Sequence, residues 1–249
     1  MRFRSPFHLP GSTQTAQQSP ASIHRTVDLK LFEHPEIQIR VSDRAVPAQD
    51  IRWLLRFFER RVAEGERFHA GETVQVGWML TKFEAAPDDG FLCLTEPDMK
   101  VIPIRFIDSV DNTLKQLRNQ KDVVESIVPA RQPDFPSLRQ SAVVCVEYKS
   151  AKHLRLRRNP AHEADSGWSL SDPGEELDSQ NPSHNVRISL YQLAIDRPEL
   201  IKFFALPPGL QVFLDNQQIR IVGPEGEIQP VPGSYLEALR QRRIQALGE

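Results

Sequence analysis

The sequence predicts an α+β fold, with two domains that each combine an antiparallel sheet and packed helices. Segments in which apolar and polar residues alternate, such as residues 37–41 and 218–222, are typical of strands with one buried face. Residues 109–127, and the segment between Pro47 and Gly65, instead repeat apolar residues at helical spacing. Because the strands and helices occur in separate groups, an antiparallel arrangement is favoured.

Composition shifts divide the chain into four predicted segments. Residues 1–34 are rich in Ser, Gln, Thr and Pro, which predicts a flexible tail. Residues 35–128 form the predicted N-terminal domain, and the proline-punctuated residues 129–136 form a linker. Residues 137–249 form the predicted C-terminal domain, which ends in a helix.

Three local patterns define the expected elements within these domains. Residues 73–80 and 91–95 are predicted to pair as a hairpin across an acidic turn at residues 87–90. Residues 165–168, Asp-Ser-Gly-Trp, are predicted to form a second acidic turn, broken by the glycine and closed by the tryptophan. Residues 211–215 and 218–222 predict a further hairpin.

Composition argues against several functional classes. The formal net charge is −2, so the whole chain has no general attraction to nucleic acid or to a membrane. No run approaches the ~20 apolar residues of a membrane-spanning helix, and residues 1–27 do not resemble a secretory signal. Cys93 and Cys145 are isolated in apolar contexts, as reduced core thiols are. We therefore expect a cytoplasmic protein without a cofactor.

The C-terminal half carries a resemblance to a known family. Its parts are the strand at 143–146, the 165–168 motif, helix starts at Ser189 and Pro198, and Leu-Pro-Pro-Gly at 206–209 before the last hairpin. In this order they resemble the family-33 immunity proteins, which neutralise toxins of bacterial competition systems. Residues 76–79, 96–99, 108–114 and 120–122 resemble the N-terminal region of longer members. The resemblance implies a non-enzymatic inhibitor of a cognate toxin effector, often linked to type VI secretion.

Two clusters of carboxylates suggest how such a protein contacts its toxin. Toxins that attack nucleic acid need a cationic cleft, and an inhibitor can fill that cleft with carboxylates where phosphates would lie. A nuclease is therefore the first expectation for the toxin. Trp168 is a candidate aromatic anchor, although burial in the core is favoured for it. The candidate partner-binding residues are Asp88, Asp89, Glu163, Asp165, Trp168, Asp172, Glu175, Glu176 and Asp178.

Three alternatives stay open at this stage. Pro87-Asp88 followed by Asp98 and Lys100 imitates the pattern of metal-dependent nucleases, in which two carboxylates hold Mg²⁺ and a lysine assists the attacking water. The basic run at 149–158 permits a nucleic-acid interpretation, but its alternating leucines favour a half-exposed strand. An interaction module without a toxin partner is the third alternative. The sequence leaves the identity of the toxin and the oligomeric state undetermined.

Overall fold

A computed structural model of the protein describes residues 21–86, 90–127, 132–173, 184–215 and 218–245. Within these residues the chain forms two sheets with helices packed on them, which confirms the predicted α+β class. The first sheet has the order β1-β2-β5-β4-β3, with β6 paired to β5. Its strands are β1 (Ser22–Arg25), β2 (Glu36–Val41), β3 (Thr73–Val76), β4 (Met79–Ala85), β5 (Phe91–Pro97) and β6 (Phe106–Ile107).

The second sheet has the order β10-β7-β9-β8-β11-β12-β13. Its neighbouring strands are antiparallel except for β7 and β9, which run parallel, as β2 and β5 do in the first sheet. Its strands are β7 (Ser141–Cys145), β8 (Leu154–Arg158), β9 (Asp165–Ser171), β10 (Asn185–Ser189), β11 (Gln211–Leu214), β12 (Ile219–Gly223) and β13 (Gly226–Ile228).

The helices bury apolar faces against these sheets. The four α-helices of the described residues are α1 (Ala48–Ala63), α2 (Asp111–Ile127), α3 (Leu190–Asp196) and α4 (Tyr235–Gln245). Short 3₁₀ helices cover Leu29–Phe32 and Pro198–Phe203. On α1, Ile51, Leu54, Phe58 and Val62 are buried at the spacing that predicted the helix. The Ser189 hydroxyl accepts a hydrogen bond from Gln192 N and so caps α3.

Two apolar cores hold the molecule together, and α2 contributes to both. Val110 and Leu114, at its start, lie in the core under the first sheet, whereas Val123 and Ile127, near its end, lie in the core under the second. Residues 78–80 also join the second core. These contacts cross the predicted linker, and the division of the chain into two domains stays a prediction.

The structure differs locally from three sequence expectations. Residues 22–32, placed in the predicted tail, form β1 and a 3₁₀ helix, because β1 pairs with β2 and Leu29 is buried. The expected strand at 73–80 is itself a hairpin of β3 and β4, which turns at Gly77 with φ of 60°. The expected turn at 165–168 is the first half of β9.

A buried carboxylate joins β5 to the start of α2. Glu96 is fully buried, and its carboxylate accepts hydrogen bonds from Thr113 N at 2.6 Å, Thr113 Oγ1 at 2.8 Å and Asn112 N at 3.1 Å. Burial raises the pKa of Glu96, and the hydrogen bonds from Thr113 and Asn112 oppose that rise. Glu96 therefore satisfies backbone donors that the first turn of a helix leaves without intrahelical partners.

The substitution Glu96→Gln tests this cap. We expect it to lower the free energy of unfolding by about 2 kcal/mol. In the wild type, Thr113 N and Thr113 Oγ1 both donate to one carboxylate oxygen of Glu96. In the variant, the amide NH₂ group of the introduced glutamine replaces one of the two carboxylate oxygens, and an NH₂ group cannot accept a hydrogen bond. Glu84→Gln is the matched control, since Glu84 is half exposed and, among the described residues, its ion pair is with Lys82. Urea unfolding of both variants measures the difference, and equal stabilities would contradict the cap.

Candidate partner-binding surface

The outward face of the second sheet is built around β9. Alternation along this strand turns Ser166, Trp168 and Leu170 into the core and leaves Gly167 and Ser169 on the opposite face. Because β9 lies between β7 and β8, these small residues form a low floor near the middle of the sheet.

Arginines stand on both sides of this floor. Arg155 and Arg157 project from β8, and Arg187 projects from β10 beyond β7. Together with the floor they enclose a cleft of about 430 Å³. We call this cleft the arginine trough and define it by Val143, Arg155, Arg157, Gly167, Ser169 and Arg187.

Hydrogen bonds fix part of the trough in place. Arg187 Nη1 donates to Asp165 Oδ2 at 2.5 Å and to Ser141 Oγ at 2.9 Å. Asp165 Oδ1 in turn accepts from Gly167 N at 2.7 Å. Arg155 Nε donates to Ser171 Oγ at 3.3 Å.

The charge balance of the trough is positive. Among the described residues, its lining carries three guanidinium groups and one carboxylate, that of Asp165, which pairs with Arg187. In the part of the chain that the structure describes, the exposed side chain of Arg157 makes no ion pair. The trough is therefore suited to a negatively charged group from outside the chain.

The next arginine of the same run faces the opposite way. Arg158 is the last residue of β8, and its side chain is 0% exposed. Its Nη2 lies 3.5 Å from Asp134 Oδ2, and its guanidinium lies 5.5 Å from the Trp168 ring centroid. Burial lowers the pKa of Arg158, and Asp134 opposes that shift. The expectation of a half-exposed strand at 149–158 holds for β8, with Arg158 rather than another leucine at one buried position.

The predicted acidic residues are not brought into one patch within the described chain. Asp165 starts β9 and lies in the trough, and Glu163 is exposed just before it. Asp172 follows the other end of β9, roughly 20 Å away at the rise of an extended strand, in a cleft with His153, Asp215 and Arg220. The remaining predicted carboxylates lie outside the described residues: Asp88, Asp89, Glu175, Glu176 and Asp178.

Trp168 belongs to the core, which agrees with the sequence-based expectation that this tryptophan is buried. Its side chain is 1% exposed, and its Nε1 donates to Phe204 O at 3.0 Å. Its ring contacts that of Phe204 at a centroid distance of 6.1 Å. Trp168 thus supports the floor of the trough from below and presents almost no surface to a partner.

The nuclease pattern has only one of its carboxylates in the described residues. Asp98 is largely buried, forms a salt bridge with Arg105 and accepts a hydrogen bond from Lys100 N at 3.2 Å. The hydrogen bond from Arg105 holds the pKa of Asp98 below its ordinary value. Within the described residues, no group of three or more His, Cys, Asp or Glu side chains is arranged to hold a metal. Asp88 lies outside those residues, so the pattern gains no support from the geometry.

Sequence reasoning missed the trough. The alternation of Arg155 and Arg157 with leucines was visible, and it predicts that both arginines share one face. Arg187, however, is 30 positions further along the chain, and only the order β10-β7-β9-β8 places it across the floor from them. A crossover of this kind leaves no local pattern in the sequence.

Comparisons with known proteins connect this sheet to a family. Residues 119–223 match the family model of the Imm33-like domain. The matched range begins in α2 and extends to the end of β12, so it contains the whole trough. The predicted resemblance to family-33 immunity proteins is therefore confirmed over this range, whereas the resemblance of the preceding residues stays a prediction.

Two other comparisons give no match. No curated protein and no solved structure matches the chain significantly. Of the helices that the structure describes, none is long and apolar enough to cross a membrane.

Proposed function

We propose that the protein is an immunity protein that binds a cognate bacterial toxin effector and neutralises it by covering its active site. The observation that carries this proposal is the match of residues 119–223 to the Imm33-like domain. The proposal assigns the protein a binding role without a catalytic residue, a metal or a cofactor. Action in the cytoplasm and a link to type VI secretion are parts of the same proposal.

The acidic segment after β9 supports a specific kind of toxin. Glu175, Glu176 and Asp178 follow Asp172 closely in sequence, and residues 172–178 contain no Lys or Arg. A dense carboxylate segment attracts a cationic cleft over long range and speeds association. We therefore propose a nuclease as the toxin, with Asp88, Asp89, Glu163 and Asp165 as further candidate contacts.

Co-expression tests the immunity role directly. The full chain is produced together with the product of each neighbouring gene, and both growth and co-purification are scored. We expect one toxic product to be captured and its toxicity to be relieved. If no toxic neighbour is captured and no growth is restored, the immunity proposal is wrong.

Charge reversal tests the acidic contact once the toxin is captured. Changing Asp172, Glu175, Glu176 and Asp178 to Lys should weaken the complex and slow its formation by about tenfold or more at low salt. The reason is that like charges would then approach each other across the interface. Stopped-flow association at low and high salt measures the effect.

The control places the same charge change elsewhere. Four exposed carboxylates without ion pairs in the described part of the chain are changed to Lys together: Glu33, Glu64, Glu147 and Glu225. Association slowed equally in both variants would show a general effect of net charge and would contradict the acidic contact. Unchanged association in the first variant would contradict it as well.

A further inference from the structure

We propose that the arginine trough binds an acidic polypeptide segment in extended conformation, which, if the immunity role holds, is contributed by the toxin. This site is opposite in sign of charge to the acidic segment that follows β9 in the sequence. The protein would then hold its partner through two surfaces of opposite charge.

The shape of the trough suits an extended chain. The floor is low at Ser169, an outward position of β9 where a larger side chain would fill the cleft. At Gly167 the lack of a side chain instead lets the backbone of Asn159 and Pro160, which also line the cleft, approach β9 closely. The arginines of β8 line one side, and Arg187 lines the other. A strand of a partner can therefore lie along β9 with side chains directed toward both walls.

The arginines have the spacing of alternate side chains in a strand. Arg155 and Arg157 are two residues apart on one face of β8, hence about 7 Å apart along the strand. Carboxylates at alternate positions of an extended peptide repeat at the same distance. Guanidinium groups bind carboxylates through paired hydrogen bonds, which adds geometric selectivity to the charge attraction.

An acidic polypeptide fits this surface better than a nucleic acid does. Proteins that bind single strands combine basic grooves with exposed aromatic rings on which bases stack. The described residues that line the cleft include no Phe or Tyr, and their tryptophan, Trp168, is 1% exposed. His162 is the one exposed aromatic ring among them, so a row of stacking rings is missing from the described lining.

The experiment measures binding of a fluorescent poly-L-glutamate peptide to the full chain by anisotropy at low salt. We expect the wild-type chain to bind it and Arg155→Glu/Arg157→Glu to bind at least about tenfold more weakly, since the substitutions reverse the charge of one wall of the trough. The control is Arg52→Glu/Arg56→Glu, the same charge change at two exposed positions of α1. The control should stay within about twofold of wild type.

Circular dichroism and thermal unfolding check that the variants are folded. If the double variant does not fold, Arg157→Glu alone serves, because its side chain is exposed and makes no ion pair within the described residues. The trough proposal is overturned if the wild-type chain does not bind the peptide, or if the α1 control loses as much affinity as the trough variant. It is also overturned if a single-stranded oligonucleotide of equal charge binds the trough more tightly than the peptide does.

Co-expression separates the failure of this proposal from the failure of the immunity role. If the peptide binds to the trough but the protein relieves the toxicity of no neighbouring gene product, the acidic-peptide site is supported and the immunity role is contradicted. If the wild-type chain and the trough variant protect cells from the toxin equally well, the immunity role is supported. In that case the trough is not a contact for the toxin.

Discussion

Trp168→Ala is expected to lower the free energy of unfolding by about 3–5 kcal/mol. The indole is almost fully buried between the second sheet and its helices, and the substitution leaves a cavity that a close-packed core refills only in part. It also removes the hydrogen bond from Nε1 to Phe204 O, so that this buried carbonyl loses a donor. Urea unfolding measures the change.

Trp53→Ala is the matched control for this substitution. Trp53 lies on α1, is 44% exposed and stacks on Phe57 at a centroid distance of 5.5 Å. We expect its removal to cost no more than about 1 kcal/mol, because most of what is lost is one aromatic contact at the surface. If the two variants were equally stable, Trp168 would not be a core residue, and its role as a partner anchor would regain support.

A consequence for binding follows from the position of Trp168. Its ring lies on the buried side of β9, beneath the outward Gly167 and Ser169 that form the floor of the trough. A variant that still folds should therefore lose part of its poly-L-glutamate binding even though Trp168 itself offers almost no contact surface. The measurement distinguishes support of the trough from direct contact, because Trp168→Phe should retain more affinity than Trp168→Ala.

The sequence predicted those elements whose signal is local. Helix α1 followed from its apolar spacing between Pro47 and Gly65, and the start of α3 at Ser189 was part of the family resemblance. The hairpin of β11 and β12 followed from two alternating segments. In each case the residues that determine the element are neighbours in the chain, so pattern and structure coincide.

Elements that depend on distant partners were harder to predict. The 165–168 motif has the residues of a turn, yet Asp165 uses its carboxylate to bind Gly167 N and Arg187, and the segment pairs with β8 as a strand. Gly167 at φ of 77° is accepted within that strand. Here tertiary pairing outweighed local turn propensity, which is common in strands because their stability depends on neighbouring strands.

The candidate site was also hard to predict, because it is formed by residues that are distant in the sequence. Charge runs along the chain drew attention to carboxylates, and two of the described ones, Asp165 and Asp172, lie at opposite ends of β9. The surface that the fold does assemble is basic, because β8 and β10 place their arginines on one face across two intervening strands. Linear charge density thus predicts attraction to a partner, but sheet order decides which charges act together.

Gly167→Ala is expected to destabilise the protein by about 3 kcal/mol or more, through strain and collision together. A Cβ at this position would lie 2.1 Å from Asn159 O and 2.9 Å from Pro160 O, and φ is +77°, where an alanine alone costs about 1–2 kcal/mol. The backbone cannot retreat freely, because Gly167 O accepts a hydrogen bond from Asn159 N at 2.9 Å.

Gly209→Ala separates the two contributions to that loss. Gly209 also has a positive φ, +90°, but a Cβ there meets no atom within 4 Å, so only the conformational cost of about 1–2 kcal/mol applies. The excess loss in Gly167→Ala over Gly209→Ala, measured by urea unfolding, reports the contact between β9 and the segment after β8. Equal losses would mean that this contact yields easily, and the trough floor would then tolerate larger residues than the structure implies.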